Sequence, residues 1–244
     1  MHPRSVVVAE TLSRDRHRFL KPLGVLCSLR EKRSERDARI ASNVVFAAPP
    51  TGTLDYALEV KDACRLWNKG GRFVFTSSTR NVLPDSKDVI SETSPMNASD
   101  VALAENQTLL HDGTVVRLAG LYHLKRGPHA KWLKDGRVAG HPQGTISLIH
   151  YDDAAAAVVK ALLHGQANAT YMVADDQALT RTQICEAALQ HPRYCEQSMP
   201  TFDSSAPKVK KSCNTTWTRK QLKFEPVYKT FEAFIKADIA KRSK

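Results

Sequence analysis

The chain has 244 residues, 42% of them apolar and 25% charged, with a formal net charge of +11; that suffices for one large domain, or a nucleotide-type domain with a smaller lobe, and excludes a disordered chain. No run of about 18 apolar residues occurs and Arg4, Glu10 and Arg14 punctuate the N-terminus, so neither a membrane span nor a secretory leader is indicated. The five cysteines, Cys27, Cys64, Cys185, Cys195 and Cys213, are odd in number and form no CxxC pair, which argues against a disulfide framework or a zinc site and for a reducing, intracellular compartment.

Val6–Ala9 reads as a short buried strand, followed by a polar stretch with Arg14, Arg16, His17 and Arg18. Val44–Ala48 is a second strand. From Asp55 to Trp67 the apolar positions Tyr56, Leu58, Val60, Ala63, Cys64 and Trp67 recur near helical spacing, and Gly70-Gly71 stops that helix before the strand Phe73–Phe75. A loop rich in Pro, Ser and Asp leads to a helix over Asp100–His111 and the strand Thr114–Ala119. Strands alternating with helices predict a parallel, doubly wound α/β sheet.

Beyond Gly120 the rhythm loosens, through Lys125, Arg126, His129 and Lys134, to a strand at Ile146–Ile149. Asp152 is positioned to cap a helix over Asp153–Leu163. A strand Thr170–Val173, a helix capped by Thr180, a short helix Thr216–Leu222 and a last helix Thr230–Lys241 complete the chain. The expected division is a core over residues 1–120 and a small C-terminal α/β lobe over 121–244, with 145–164 returning to the core.

Two of the strands stop on small residues, Ala47-Ala48-Pro49-Pro50 and Thr76-Ser77-Ser78-Thr79, yet no glycine-rich loop precedes them, Gly24 being the first glycine. Small residues leave room above the carboxyl edge of a parallel sheet, where a nucleotide lies in open α/β folds. The charge is uneven: residues 1–42 hold ten Lys/Arg against five Asp/Glu, and residues 206–244 hold eleven against three. These cations are interspersed with acids and no nucleic-acid module surrounds them, so a solvated basic surface is the plain reading and a nucleic-acid partner is not expected.

Taken in order, Val44-Val45-Phe46-Ala47-Ala48, Phe73-Val74-Phe75-Thr76-Ser77-Ser78-Thr79, Val116-Arg117-Leu118-Ala119-Gly120-Leu121-Tyr122 and Ile149-His150-Tyr151-Asp152-Asp153-Ala154-Ala155 resemble the extended short-chain dehydrogenase/reductase superfamily, in its NAD-dependent epimerase/dehydratase branch. The later Tyr171–Asp176 and Trp217–Pro226 are similar to that branch's C-terminal lobe. The resemblance implies a Rossmann-like fold, an NAD(P) cofactor, a small-molecule substrate and an oxidoreductase, epimerase or dehydratase activity. It also exposes two departures. The family's first strand ends in GxxGxxG, which holds the cofactor diphosphate against a helix N-terminus. Here Val6–Ala9 is similar to the second strand, which puts the family's first strand, loop and helix before Met1, so the chain looks like the family minus about its first 30 residues, one strand-loop-helix unit. If the chain is complete, poor folding is expected, because Val44–Ala48 loses its central strand neighbour and leaves an apolar edge.

The second departure is catalytic. Family oxidoreductases pair Ser/Thr with YxxxK, the Lys lowering the pKa of the Tyr that moves the proton. Ser78 stands where the family serine would, but Asn97–Glu105 contains neither Tyr nor Lys, and none of the six tyrosines has Lys four positions on. The resemblance implies Ser78 as the catalytic residue, and Thr11, Ser13, Arg14, Ala47, Ala48, Pro49 and Ser77 along the cofactor, with Thr11, Ser13 and Arg14 tilting the choice towards NADP. For substrate it implies Arg117, Tyr122 and Arg126. Each has a plainer reading: Ser77 and Ser78 could satisfy backbone groups at a strand end, Arg117 could form a structural ion pair, and Tyr122, Lys125, Arg126 and His129 could belong to a solvated loop. His150 with Asp152 and Asp153 fixes no metal geometry, and no metal is expected.

Overall fold

Near-continuous apolar runs suit strands buried on both faces, and the computed structural model, which describes residues 6–30 and 41–242, forms them so. The first half holds β1 (Val8–Thr11), the single turn α1 (His17–Leu20), β2 (Leu26–Leu29), β3 (Val44–Phe46), α2 (Tyr56–Leu66), β4 (Phe73–Ser78), β5 (Val89–Ile90), α3 (Asp100–Leu110), β6 (Thr114–Leu118) and β7 (Gly120–Tyr122). The second half holds α4 (Pro128–Asp135), β8 (Arg137–Val138), β9 (Thr145–Ile146), β10 (Leu148–His150), α5 (Tyr151–His164), β11 (Thr170–Val173) and β12 (Leu179–Thr180). It ends with α6 (Arg181–Leu189), β13 (Thr201–Phe202), β14 (Ser212–Cys213), α7 (Thr216–Leu222) and α8 (Phe231–Arg242).

Four strands form one all-parallel sheet in the order β11-β6-β4-β3. Alternate side chains divide between its faces. Phe73, Phe75 and Val115 pack with Tyr56 and Val60 of α2 and Ala104 of α3. Val74, Val116, Tyr171 and Val173 pack on the other face with Ala154, Ala157 and Ala161 of α5 and Leu222 of α7. Helices therefore cover both faces, and the architecture is the doubly wound α/β Rossmann type. The hinge between α3 and β6 needs Gly113, since a Cβ there would stand 2.8 Å from the Thr108 carbonyl oxygen.

A third cluster lies in the second half, where Tyr122, Leu133, Leu148, Ile184, Phe231 and Phe234 are buried together. Short pairs knit this region: β7 with β10 in parallel, β9 with β12 antiparallel, and β8 with β13 in parallel. The strand expected at 146–149 is broken at Ser147 into β9 and β10. Asp152 does not cap α5: the N-cap is His150, whose ring accepts the Asp152 amide, and the Asp152 side chain is 87% exposed. Asp153 turns inward instead, its two oxygens accepting the Val227 and Tyr228 amides at 2.8 and 3.0 Å. Thr180 caps α6 as expected, in a reciprocal capping box with Gln183.

The strands β1 and β2 pair in parallel, Val8 with Leu26 through Thr11 with Leu29, and this pair is separate from the four-stranded sheet. Among the described residues β3 has a strand on one side only, β4. The apolar side chains here are left in the open: Val6 is 73% exposed, Val8 62%, Leu26 59% and Val45 43%.

Candidate functional site

Strands β3, β4 and β6 point their carboxyl ends the same way, so Ala47–Pro49, Ser78 and Ala119 lie along one edge. Ala47 and Pro49 are exposed and Ala48 is half-buried, its carbonyl taking the Tyr56 hydroxyl at 2.7 Å. Burial pushes that Tyr56 hydroxyl up to about 12, so it is a structural donor at any ordinary pH. Ser78 is exposed, and its Oγ accepts the Arg80 amide at 3.2 Å, capping the 3₁₀ turn Thr79–Asn81. From the far end of the chain Lys211 reaches this turn, its Nζ donating to the carbonyls of Thr79 (2.9 Å) and Arg80 (3.0 Å). Burial lowers the Lys211 ammonium from its ordinary range.

The strand period sends Ser77 to the opposite face from Ser78. Its Oγ donates to Glu105 Oε1 at 2.5 Å, and its cross-strand neighbour Arg117 grips the same carboxylate from Nε (3.1 Å to each oxygen) and Nη2 (2.8 Å). The remaining Arg117 donor, Nη1, is taken by the carbonyls of Glu92 and Ser94. This is a closed, buried ion pair between β6 and α3, the structural alternative for Arg117. Sequence reading missed Glu105, although Val101, Ala104, Glu105 and Thr108 fall on one helical stripe and a strand arginine demands an acid.

Thr11 and Ser13, at the end of β1, are engaged locally: Thr11 Oγ1 lies 2.7 Å from His17 Nε2, and Ser13 donates to Asp15 at 2.9 Å. Arg14 is exposed beside them. The three substrate candidates are not gathered. Arg117 is inside the sheet, Tyr122 is fully buried in the second-half cluster, and Arg126 is exposed with its guanidinium 5.4 Å from the Tyr151 ring centre. His129 is also fully buried, and its ring is held down at about 4 by that burial.

The donor set does not match a dinucleotide's diphosphate. Among the described residues, β3 runs into Ala-Ala-Pro-Pro, with no glycine cradle. The N-terminus of α2 that follows is filled by the Asp55 carboxylate, which accepts the Leu58 amide at 2.8 Å. An acid on a helix N-terminus excludes a phosphate from the place where its charge would be stabilised. The exposed Arg14 fits a phosphate better. No group of three or more His, Cys, Asp or Glu side chains suited to a metal is gathered among the described residues, and no helix there is long and apolar enough to cross a membrane.

No protein-family model and no curated protein matches the chain. Solved structures do match in fold. The dTDP-glucose 4,6-dehydratase of Bacillus anthracis in complex with NAD superimposes with a TM-score of 0.75 at 11% identity, over 100% of this chain and 90% of that one. The UDP-glucose 4-epimerase of Thermotoga maritima with UDP-glucose gives 0.73 at 14% identity, over 98% and 92%. RMD from Pseudomonas aeruginosa complexed with NADPH gives 0.70 at 15% identity, over 98% and 100%. The chain shares the Rossmann-type fold of these proteins, two of which were solved with NAD or NADPH bound.

Proposed function

We propose that this chain is an atypical, truncated member of the short-chain dehydrogenase/reductase superfamily, of the epimerase/dehydratase kind, whose NAD(P) site is completed by a strand-loop-helix inserted between β1 and β3. The observation that carries this reading is the division of the parallel strands into β2-β1 and β3-β4-β6-β11, with apolar side chains standing open on both sides of the break. A parallel strand hydrogen-bonded to β1 and β3 would join the two sheets, cover Val8 and Val45, and carry a glycine-rich turn to the carboxyl edge. Thr11, Ser13 and Arg14 would then border the adenosine ribose, where hydroxyls and an arginine suit the 2′-phosphate of NADP. Ala47, Ala48 and Pro49 would line the cleft, whereas Ser77, whose hydroxyl is held by Glu105 on the other side of the strand, would not reach it. The cofactor would supply hydride chemistry. Ser78 would hydrogen-bond a small-molecule substrate at its reacting oxygen, with Arg126 at the rim.

Calorimetry with NADPH tests this reading. The 244-residue chain alone is expected to show no binding, and co-expression with a glycine-rich strand-loop-helix fragment of about 30 residues is expected to give a complex that binds NADPH. A soluble complex that still fails to bind either NADPH or NADH overturns it.

One observation favours a second reading, a non-catalytic nucleotide-binding or scaffold protein of the same fold. The helix that would bring Tyr and Lys to the edge, α3, brings neither, and its buried acid Glu105 is engaged by Arg117 and Ser77. A missing proton donor typically lowers rate by about 10² to 10⁴. Turnover of a nucleotide-sugar or carbonyl substrate by the NADPH-binding complex, abolished by Ser78→Ala, decides for the enzyme.

A further inference from the structure

The segment that leaves β11 threads a polar seam. The Asp175 amide donates to the Leu148 carbonyl of β10 at 2.8 Å and the Asp176 amide to the Lys229 carbonyl at 2.8 Å. Arg219 of α7 holds the Asp176 carboxylate and the Ala174 carbonyl. Within this seam the Asp175 side chain is 5% exposed and poorly supported: Oδ1 accepts one long bond, 3.4 Å from the Gln177 amide, and Oδ2 has no partner. The buried Tyr122 hydroxyl of β7 and Arg219 Nε are likewise without hydrogen-bond partners.

A carboxylate this deep needs several donors or a dedicated cation to stay ionised. The charged groups facing Asp175 are unfavourable on balance. Asp176 in its own loop and Asp153 of α5 oppose its charge, and Cys213 of β14 lies within electrostatic reach. Arg219 alone favours it, and that guanidinium is already engaged by Asp176 and Glu225. Tyr122 faces the same acid and offers it no hydrogen bond.

We propose that Asp175 folds in its protonated, neutral form, and that this proton is a latch holding residues 174–177 in the seam between the sheet and the C-terminal helices. Desolvation, the largest cause, pushes the carboxyl from 3.8 to about 8. The folded chain thus keeps a proton that the unfolded chain has released. The associated stability is complete below the unfolded value and is lost as pH rises towards 8. Alkaline conditions loosen the seam, and Asp153, which ties α5 to the Val227 and Tyr228 amides, is in the part that opens.

Urea unfolding of the wild type and Asp175→Asn from about pH 5 to about pH 9 tests the latch. The ratio of their folding constants, wild type over variant, is expected to fall close to tenfold per unit up to about pH 8 and then level. Amide exchange at Asp176 and Tyr228, referenced to Phe75, is expected to accelerate above pH 8 in the wild type only. A ratio independent of pH, or exchange unchanged across that range, overturns the proposal. Should Asp175→Asn not fold, infrared spectra of the wild type keep it falsifiable: a protonated-carboxyl band present near neutrality must vanish by about pH 9, and its absence near neutrality overturns the latch.

Discussion

Val8 on β1 and Val74 on β4 are the same residue in the same kind of parallel strand, yet Val8 is 62% exposed and Val74 is fully buried. The difference lies in the layers above and below. Strand β4 has neighbours on both edges and helices on both faces, whereas among the described residues β1 pairs only with β2 and only the single turn α1 reaches its end, through His17. Full burial of a valine contributes about 1.5 to 3 kcal/mol, so the four-stranded region carries the stability and the β1–β2 pair adds little. Forming a parallel strand does not create a core; stacking does.

The comparison breaks most plainly if large-to-small substitutions cost the same in both regions. Phe75→Ala, at the centre of the fully buried side of β4, is expected to cost about 3 to 5 kcal/mol, read as a shift in urea midpoint. Glu105→Ala is expected to cost a similar amount, about 3 to 5 kcal/mol, because it strands the Arg117 guanidinium beneath α3. Combining Glu105→Ala with Arg117→Met should cost clearly less than the sum of the two, since both act on one pair.

A pH effect of intermediate size separates the second-half cluster from both strand regions. Burial holds the His129 ring at about 4, from 6.5. The unfolded chain takes up that proton at higher pH than the folded one, so stability is present above 6.5 and is lost as pH falls towards 4, by about 3 kcal/mol. Asp175 has the opposite slope over the same window. The two nearly cancel in the wild type. In Asp175→Asn the acid loss should therefore emerge, and adding His129→Gln should remove it.

Much of the paired region was legible because its signals are local. Phe73–Ser78 and Thr114–Leu118 are apolar runs set off by Gly70-Gly71 and Gly113, and Thr180 with Gln183 spells a capping box. The apolar edge on β3 was also readable, from the missing glycine-rich unit. What escaped depends on partners remote in sequence. Leu-Cys-Ser-Leu is no apolar run, and it is a strand because β1 lies beside it. Asp153 fits a cap pattern with Asp152, but two amides some 75 residues away claim it. Tyr122, expected near substrate, is buried because Phe231 and Phe234 of α8 cover it. Ser78 and the open edge were placed by strand-end chemistry; the Lys211 contact with the adjoining turn could not be, since it spans more than 130 residues.

Helix starts give a smaller contrast. Thr180→Ala should cost about 1 kcal/mol, the usual worth of a side-chain cap. Arg16→Ala, at the start of α1, should cost nothing measurable by the same route, because Arg16 makes no capping hydrogen bond.

The smallest expected effect is the most discriminating. Phe19 on α1 is 56% exposed, touched by Arg18 across its ring at 4.7 Å. If the β1–β2 unit stands open in solution, Phe19→Ala changes stability by no more than about 0.5 kcal/mol, as for other surface positions, while Phe75→Ala costs several. A loss from Phe19→Ala comparable with that from Phe75→Ala would mean that something covers this unit. Dilution then tells what: a cost that shrinks as protein concentration falls points to a second copy of the chain, because only association depends on concentration. A cost that appears only after the glycine-rich fragment has been added points to the inserted strand-loop-helix, since filling the break between β1 and β3 would turn an exposed flank into an interior.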